Sequence, residues 1–304
     1  MVQEIFYWLF NMSITASLVA IPVIAIRFIK PISRRLIVAL WAVPFLRLSL
    51  PFGMHSPYSF MSLLSGISVK TVTVYQPVKN FYFTYANFAQ AAETYFPVTY
   101  KVNILDDVFG IASVIWLSVA VVIFLLLAIF YCFSMWEVKK ASHWKNNLYL
   151  SSYAVSPAVY GIIKPKILLP ESCKDTQLHY ILLHEQAHIR RGDNLWRLLA
   201  IAVTTIHWFN PFCWLFLKLF LADLELACDE AVLKKLGQAH AKSYAQALLD
   251  SKQHTQMLTS AFGGAKINTR IKSILSFKEM TRLSVIIFSV LIIAISYILL
   301  TNAG

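Results

Sequence analysis

Residues 184–188 read His-Glu-Gln-Ala-His, and this run carries the side-chain types that metal-assisted hydrolysis needs. Helical residues four apart lie on nearly the same face, so the rings of His184 and His188 can converge on one zinc ion at about 2.1 Å. Glu185 points beside them, where it can take a proton from water activated by the metal. The run therefore predicts a zinc hydrolase with Glu185 as its general base.

The residues around this run favour a helix. Its apolar face is formed by Leu178, Ile181 and Leu182. Ser172 or Asp175 can cap its start and Gly192 is well placed to end it. Asp193, directly after this glycine, is interpreted as the N-cap of the next helix rather than as a catalytic acid.

A hydrolytic zinc site needs a third protein ligand and leaves one position for water. Glu225 is the best candidate because Asp229 follows it by one turn on the same helical face. One carboxylate can then bind the metal while Asp229 accepts the free N–H of a ligand histidine, with His184 favoured. Two candidates for stabilising the oxyanion are His207 and Tyr244, although a packed or interfacial histidine is the default reading of His207.

The composition indicates a membrane protein, since 58% of the residues are hydrophobic, 14% are charged and the mean hydropathy is +0.61. Four segments, 5–26, 36–52, 109–133 and 283–300, are apolar enough to cross a hydrocarbon core of about 30 Å. Arg47, near the end of the second segment, is expected to snorkel to the surface. The four cysteines match no zinc or disulfide framework and are interpreted as apolar filler.

The charge distribution predicts an orientation. The formal net charge is +12, and all of it lies in the first connecting loop and in residues 134–282. By the positive-inside rule both regions face the cytoplasm and both chain ends lie outside. Attraction to anionic lipid headgroups accounts for the basic excess, so direct binding to nucleic acid is not expected.

The predicted fold is a mainly α membrane protein with four transmembrane helices and an inserted cytoplasmic α+β zinc domain. The expected parts are 1–52 with two spans, an extracellular aromatic-rich loop at 53–107, a third span at 108–133, the zinc domain at 134–282, and the fourth span with an outer tail at 283–304. For the aromatic loop, a position on the membrane is favoured over a ligand pocket. A short strand is expected at 69–75.

The zinc domain is expected to open with a polar linker at 134–147, followed by β-prone runs at 148–155, 161–163 and 166–169. Prolines at the ends of these runs suggest edge strands. A sheet edge beside a metal site would accept an extended peptide through main-chain hydrogen bonds.

Residues 195–222 are apolar enough for a fifth span, but a crossing there would separate Glu225 from His184. The Asn210-Pro211 pair offers an alternative, because proline breaks the helix into arms of about 15 and 11 residues that are too short to cross. We therefore expect a membrane-associated helical hairpin against or within the inner leaflet.

These motifs together resemble the BlaR/MecR family of membrane metalloproteases along essentially the whole chain. The resemblance is carried by Ser156-Pro157, Gly161, Pro165, 167–170 (Ile-Leu-Leu-Pro), 184–193 (His-Glu-x-x-His-x-Arg-x-Gly-Asp), 207–212 (His-Trp-Phe-Asn-Pro-Phe) and 225–230 (Glu-Leu-Ala-Cys-Asp-Glu). It implies a bacterial cell-membrane protein with four spans and a gluzincin-like zinc domain. It also implies His184, His188 and Glu225 as zinc ligands and Glu185 as base.

Sensor members of that family carry a penicillin-binding domain after the last span, which this chain is expected to lack. A stimulus would then enter through the outer loop, the spans or a separate sensor protein. The family often acts with a winged-helix repressor of the BlaI/MecI type, and sensor members cut themselves before the last span, where this chain has the basic segment 266–282.

The leading hypothesis is therefore a membrane-embedded zinc endopeptidase for regulatory proteolysis, with the bilayer and a protein substrate as partners. One alternative is a quality-control protease for membrane proteins. Another is a non-catalytic receptor stabilised by zinc, although a purely structural site does not need Glu185 and normally closes with a fourth protein ligand. The oligomeric state is left open.

Overall fold

The computed structural model describes residues 2–29, 32–50, 53–62, 103–152, 154, 156–171, 178–252 and 265–303. Its helices are α1 (Val2–Arg27), α2 (Arg34–Leu40), α3 (Ala42–Ser49), α4 (Asn103–Lys140), α5 (Leu178–Arg191), α6 (Asp193–Ile206), α7 (Pro211–Leu236), α8 (Ala241–Lys252), α9 (Ile267–Leu275) and α10 (Arg282–Leu300). Its strands are β1 (His55–Ser56), β2 (Ser142–Lys145), β3 (Leu148–Ser151), β4 (Ala158–Tyr160), β5 (Lys166–Pro170) and β6 (Asn302–Ala303). The strand expected at 69–75, most of the predicted aromatic loop and the proposed caps Ser172 and Asp175 lie outside the described residues.

Within the described ranges, three helices are long and apolar enough to cross a membrane, namely α1, the 107–140 part of α4, and α10. They coincide with the predicted spans 5–26, 109–133 and 283–300. Large apolar side chains are exposed along α4 and α10, which fits contact with lipid. The three helices therefore have the length and composition of membrane-spanning helices, and α4 and α10 also have the apolar surface.

The predicted span at 36–52 takes a different form. Helices α2 and α3 have seven and eight residues and meet at Trp41, so together they reach about 24 Å. Pro44 has no N–H for the carbonyl of Leu40, which interrupts the helical hydrogen bonds at this point. A fourth crossing at this segment stays a prediction.

A four-stranded sheet with the order β2-β3-β5-β4 precedes α5. The central pair β3 and β5 is parallel, and the other two pairs are antiparallel. Ile167 and Leu169 of β5 are buried in one cluster with Ile181 of α5. The sheet thus provides the surface on which the helix with the His-Glu-x-x-His run packs.

Three details of this region differ from the sequence-based expectation. Residues 134–147 are not a linker, because α4 continues to Lys140 and β2 begins at Ser142. Residues 161–163 do not form a strand but connect β4 to β5, and Gly161 has a φ of 87° there. The strand between Pro165 and Pro170 is interior rather than at an edge, because proline at a strand end removes few of its pairing groups.

The helical break expected at Asn210-Pro211 separates α6 from α7, and the association of this hairpin with the membrane stays a prediction. Helix α6 ends at Ile206, and α7 starts at Pro211 after the Asn210 side chain accepts a hydrogen bond from the Phe212 N–H at 2.9 Å. The second arm is longer than the predicted 11 residues, because α7 continues as one 26-residue helix. Glu225 and Asp229 therefore belong to the hairpin itself.

The tip of this hairpin lies between α1, α3 and α4. Nδ1 of His207 is 3.0 Å from the Ser13 hydroxyl, and its Nε2 is 2.8 Å from the Leu48 carbonyl oxygen. The indole N–H of Trp116 donates to the Ile206 carbonyl at 2.7 Å. Because Ser13 lies about four helical turns before the end of α1, the tip meets α1 about 21 Å from that end.

Polar contacts also connect α7 to the end of α1, to the start of α2 and to Trp41, which follows α2. The Asp223 carboxylate is fully buried and accepts from Nε of Arg27 at 2.7 Å and from the Trp41 indole at 2.9 Å. Glu230 accepts from the Ser33 hydroxyl and from the Arg34 N–H. The basic loop assigned above to lipid and topology therefore also binds α7.

Arg47 does not snorkel to a surface. Its side chain is 2% exposed and donates to the carbonyls of Leu299 and Thr301 and to Oδ1 of Asn302. The last carbonyls of a helix lack intrahelical partners, and a guanidinium with several donors can satisfy them. Arg47 therefore fastens the C-terminal end of α10 to α3, next to the parallel pair of β1 and β6.

Candidate metal centre

Helix α5 places the side chains of the His-Glu-x-x-His run on its buried side. His184 and His188 are each 5% exposed and Glu185 is 7% exposed. The two rings have centroids 4.6 Å apart and are inclined by 82°, with Nε2 to Nε2 at 3.2 Å. The four-residue spacing therefore produces the convergence of ring nitrogens that the sequence predicts.

Glu225 comes to these two nitrogens from α7. Its Oε2 is 3.6 Å from Nε2 of His184, and its Oε1 is 3.7 Å from Nε2 of His188. In a tetrahedral zinc site with bonds of about 2.0–2.1 Å, neighbouring ligand atoms are about 3.3 Å apart. These two distances belong to different oxygens of the Glu225 carboxylate, which bridges the two ring nitrogens, and each is a few tenths of an ångström longer than such an edge.

A carboxylate supports the far side of the second histidine. Oδ2 of Asp193 is 2.6 Å from Nδ1 of His188, and its Oδ1 is 3.4 Å from Nε of Arg191. The N-cap position of α6 belongs to Gly192, which adopts a φ of 66°, so the expectation for Asp193 is wrong. The left-handed glycine turns the chain so that the next carboxylate points back at the preceding helix.

The far side of the first histidine is supported by Tyr244 and Asp229 together. The Tyr244 hydroxyl is 2.9 Å from Nδ1 of His184 and donates to Oδ1 of Asp229 at 2.6 Å. The direct distance from Nδ1 to this carboxylate oxygen is 3.4 Å. Asp229 therefore acts on His184 mainly through the tyrosine rather than by the direct hydrogen bond expected from the sequence.

The ionisation of the site follows from burial and from its neighbours. Burial, and then the charge of Arg270, lower the pKa of His184, which keeps this ring neutral. Burial alone would raise the pKa of Glu225, but His188, His184 and two arginines hold it well below its usual value. A neutral ring and an ionised carboxylate are the protonation states that bind a metal cation.

Cys228 offers a rival donor, because His184, His188 and Cys228 have ligand atoms within 4.8 Å of one another. Its sulfur, however, lies 3.4 Å from the carbonyl oxygen of His184 and 3.5 Å from Nδ1, the side of the ring away from the facing Nε2 atoms. Burial and the nearby carboxylates raise the pKa of the thiol well above its usual value. The Glu225 carboxylate thus faces the two Nε2 atoms, whereas the Cys228 sulfur lies on the Nδ1 side of the first ring.

Two proposed oxyanion donors are not placed for that role. His207 lies at the hairpin tip, about 20 Å along α7 from Glu225, and both its ring nitrogens contact α1 and α3. Tyr244 is close to the site but is fully buried behind His184, with its hydroxyl at Nδ1 and Asp229. The first residue supports the hairpin and the second orients a candidate ligand.

Two arginines beside Glu225 were missed by sequence reasoning. Arg197 of α6 donates to Oε1, and Nη1 of Arg270 is 3.2 Å from Oε2. Arg270 had a detectable signal, because it shares the apolar face of α9 with Ile267, Ile271 and Ile274. A charge on the buried face of an amphipathic helix indicates a buried partner.

The fold and the site together define a membrane-associated metallopeptidase: apolar helices of membrane-spanning length, and a buried pair of histidines with a carboxylate from a second helix. The family model described as BlaR1 peptidase M56 matches residues 7–275. The chain therefore belongs to the BlaR1 peptidase M56 family, and the resemblance drawn from its motifs is confirmed.

Characterised relatives are similar over about half of this chain. "Regulatory protein BlaR1" of Bacillus licheniformis is 30% identical over 167 residues, which are 50% of this chain and 28% of that protein. "Methicillin resistance mecR1 protein" of Staphylococcus aureus is 28% identical over 156 residues, or 47% of this chain and 27% of that protein. The similarity thus covers little more than a quarter of each relative's length.

Proposed function

We propose that this protein is a membrane-embedded zinc endopeptidase that performs regulatory proteolysis at the cytoplasmic face of the bacterial cell membrane. The observation that carries the proposal is the convergence of Nε2 of His184 and Nε2 of His188, 3.2 Å apart, on the Glu225 carboxylate, whose Oε2 is 3.6 Å from the first nitrogen and whose Oε1 is 3.7 Å from the second. Glu225 is favoured over Cys228 because its carboxylate faces the two Nε2 atoms, whereas the Cys228 sulfur lies 3.5 Å from Nδ1 of His184. The basic charge of 134–282 and of the first connecting loop supports the cytoplasmic placement.

In this proposal His184, His188 and Glu225 hold zinc, which when bound supplies Lewis-acid chemistry to water and to the peptide carbonyl. Glu185 takes a proton from the attacking water and then gives it to the amine nitrogen that leaves. The peptide C–N bond breaks, one water is consumed, and Glu185 returns to its ionised form.

The surrounding side chains prepare the histidines for this role. Asp193 accepts at Nδ1 of His188, and the Tyr244 hydroxyl engages Nδ1 of His184. A proton fixed on each Nδ1 leaves the Nε2 lone pair available for a metal. Because the BlaR/MecR family that the chain resembles often acts with a winged-helix repressor, we propose such a repressor as the protein substrate and a separate protein or the spans as sensor.

The test is cleavage of a candidate repressor by the full chain reconstituted in vesicles with zinc. Glu185→Gln should retain zinc and lose cleavage by about 10²–10⁴-fold, the usual contribution of a general base. Glu171→Gln is the matched control, because it makes the same change at an exposed glutamate. This variant should cleave normally.

Three outcomes separate the hypotheses. One specific product that disappears with Glu185→Gln supports regulatory proteolysis. Broad degradation of unfolded membrane proteins would indicate quality control instead. Full signalling by Glu185→Gln with zinc retained would show a non-catalytic receptor and refute the proposal.

A further inference from the structure

Arg270 is a buried cation in the short helix that precedes the last apolar helix. Its side chain lies on the same face of α9 as Ile274, which is fully buried, and Arg270 itself is 2% exposed. Only residues 276–281 separate the end of α9 from the start of α10 at Arg282. The guanidinium therefore enters the interior from a segment directly attached to a membrane helix.

The guanidinium contacts three groups of the candidate metal centre at once. Its Nε and Nη2 donate to the two oxygens of Asp229 at 2.8 and 2.7 Å, which makes a bidentate ion pair. Its Nη1 is 3.2 Å from Oε2 of Glu225, and its Nη2 lies beside the His184 ring, 3.2 Å from Nε2 and 3.5 Å from Nδ1. Arg270 therefore contacts the candidate ligands Glu225 and His184. It also contacts Asp229, the carboxylate that supports His184.

This geometry requires arginine in particular. The planar guanidinium presents five N–H donors in a rigid fork, whereas the ammonium of lysine is a point charge on a flexible stem. A lysine at this position could keep one ion pair but could not span Asp229 and Glu225 in fixed directions. The relative orientation of the two carboxylates therefore depends on the shape of Arg270 as well as on its charge.

We propose that Arg270 is a positioning residue that fixes Glu225 and Asp229 relative to each other and thereby sets the affinity of the centre for zinc. The inference rests on the proposed function, because it takes His184, His188 and Glu225 as the zinc ligands.

A role in positioning and a role as a simple charge predict opposite results. A cation close to a metal ion repels it, so removing a mere charge would tighten zinc binding. Removing a residue that orients the ligands and their supporting groups weakens binding by about 10–100-fold. The direction of the change in zinc affinity therefore decides between them.

The experiment measures the zinc dissociation constant of the purified full chain in detergent by competition with a chromophoric chelator. Arg270→Lys and Arg270→Gln should each weaken binding by about 10–100-fold, so that lysine does not rescue. The visible absorption of the cobalt-substituted protein should also change in both variants, because it reports ligand geometry. Lys272→Gln, an exposed position on the same helix, should leave both measurements unchanged.

Two further variants separate positioning from folding. Ile274→Ala loosens the packing of α9 without changing a charge, and it should lower the unfolding temperature while the cobalt spectrum stays like that of the wild type. The double variant Arg270→Gln with Asp229→Asn removes both charges of the buried Arg270–Asp229 pair, so no unpaired carboxylate is left at position 229 and the protein should fold. This double variant should still bind zinc weakly.

The inference is overturned if either Arg270 variant, or the folded double variant, binds zinc within about threefold of the wild type or more tightly. It is also overturned if Ile274→Ala weakens zinc binding and alters the spectrum as strongly. Wild-type zinc binding that survives alanine at both His184 and His188 would instead overturn the proposed function itself.

Discussion

Replacing Asp193 with asparagine removes one negative charge that lies behind the candidate metal ligand His188 and 3.4 Å from Nε of Arg191. The Asp193 carboxylate is 1% exposed and lies 2.6 Å from Nδ1 of the ring. Asparagine has nearly the same shape and its side-chain oxygen can still accept the hydrogen bond. The substitution therefore tests the charge that supports the ligand rather than the packing of α6.

The size of the effect follows from distance. A metal bound at Nε2 of His188 would lie about 6 Å from the Asp193 carboxylate, and Glu225 would neutralise half of its charge. One net unit charge at this distance interacts with the carboxylate by about 2.8 kcal/mol at an effective dielectric constant of about 20. Zinc binding should therefore weaken by up to about 100-fold, and by at least about tenfold.

The assay is competition for zinc between the full chain and a chelator of known affinity at neutral pH. Glu279→Gln is the control, because it removes one carboxylate from an exposed pair with Lys234 and should not change zinc affinity. A zinc affinity of Asp193→Asn within about threefold of the wild type would refute the assignment of Asp193 as the support of a metal-binding His188.

Three other predictions concern the surroundings of the centre. Asp223→Ala should lower the free energy of unfolding by about 3 kcal/mol or more, measured by denaturation in detergent, because it breaks a buried ion pair; an unchanged stability would contradict that role. Arg47→Gln should speed amide hydrogen exchange at 301–302 by about tenfold or more, since charged hydrogen bonds to the end of α10 are lost, and unchanged exchange would mean that the guanidinium does not fasten this end. In a chain whose other cysteines are alanine, Cys228 should resist alkylation at pH 9, because its raised pKa leaves the thiol protonated and burial blocks access. Unfolding in detergent should make this thiol reactive. Rapid labelling of the folded protein would exclude the buried position of Cys228.

Local pattern in the sequence was sufficient for the features that depend on helical periodicity, apolar length and proline. The four-residue spacing brought His184 and His188 together, and three apolar segments are helices of spanning length. The break at Asn210-Pro211 followed from the missing N–H of proline. The requirement that Glu225 and the histidines share one metal also predicted that these helices must return to the same region.

Contacts between distant segments needed the tertiary structure. The sequence does not say which cation meets a buried carboxylate, so Arg270, 45 positions after Glu225, was found only from the packing of α9 against α7. For the same reason, the sequence did not show that the Tyr244 hydroxyl contacts Nδ1 of His184 instead of facing a substrate. It also did not show that Arg47 binds the end of α10 instead of reaching a surface. Helical and strand periodicities are properties of neighbouring residues, whereas the partner of a buried polar group is decided by how the helices pack.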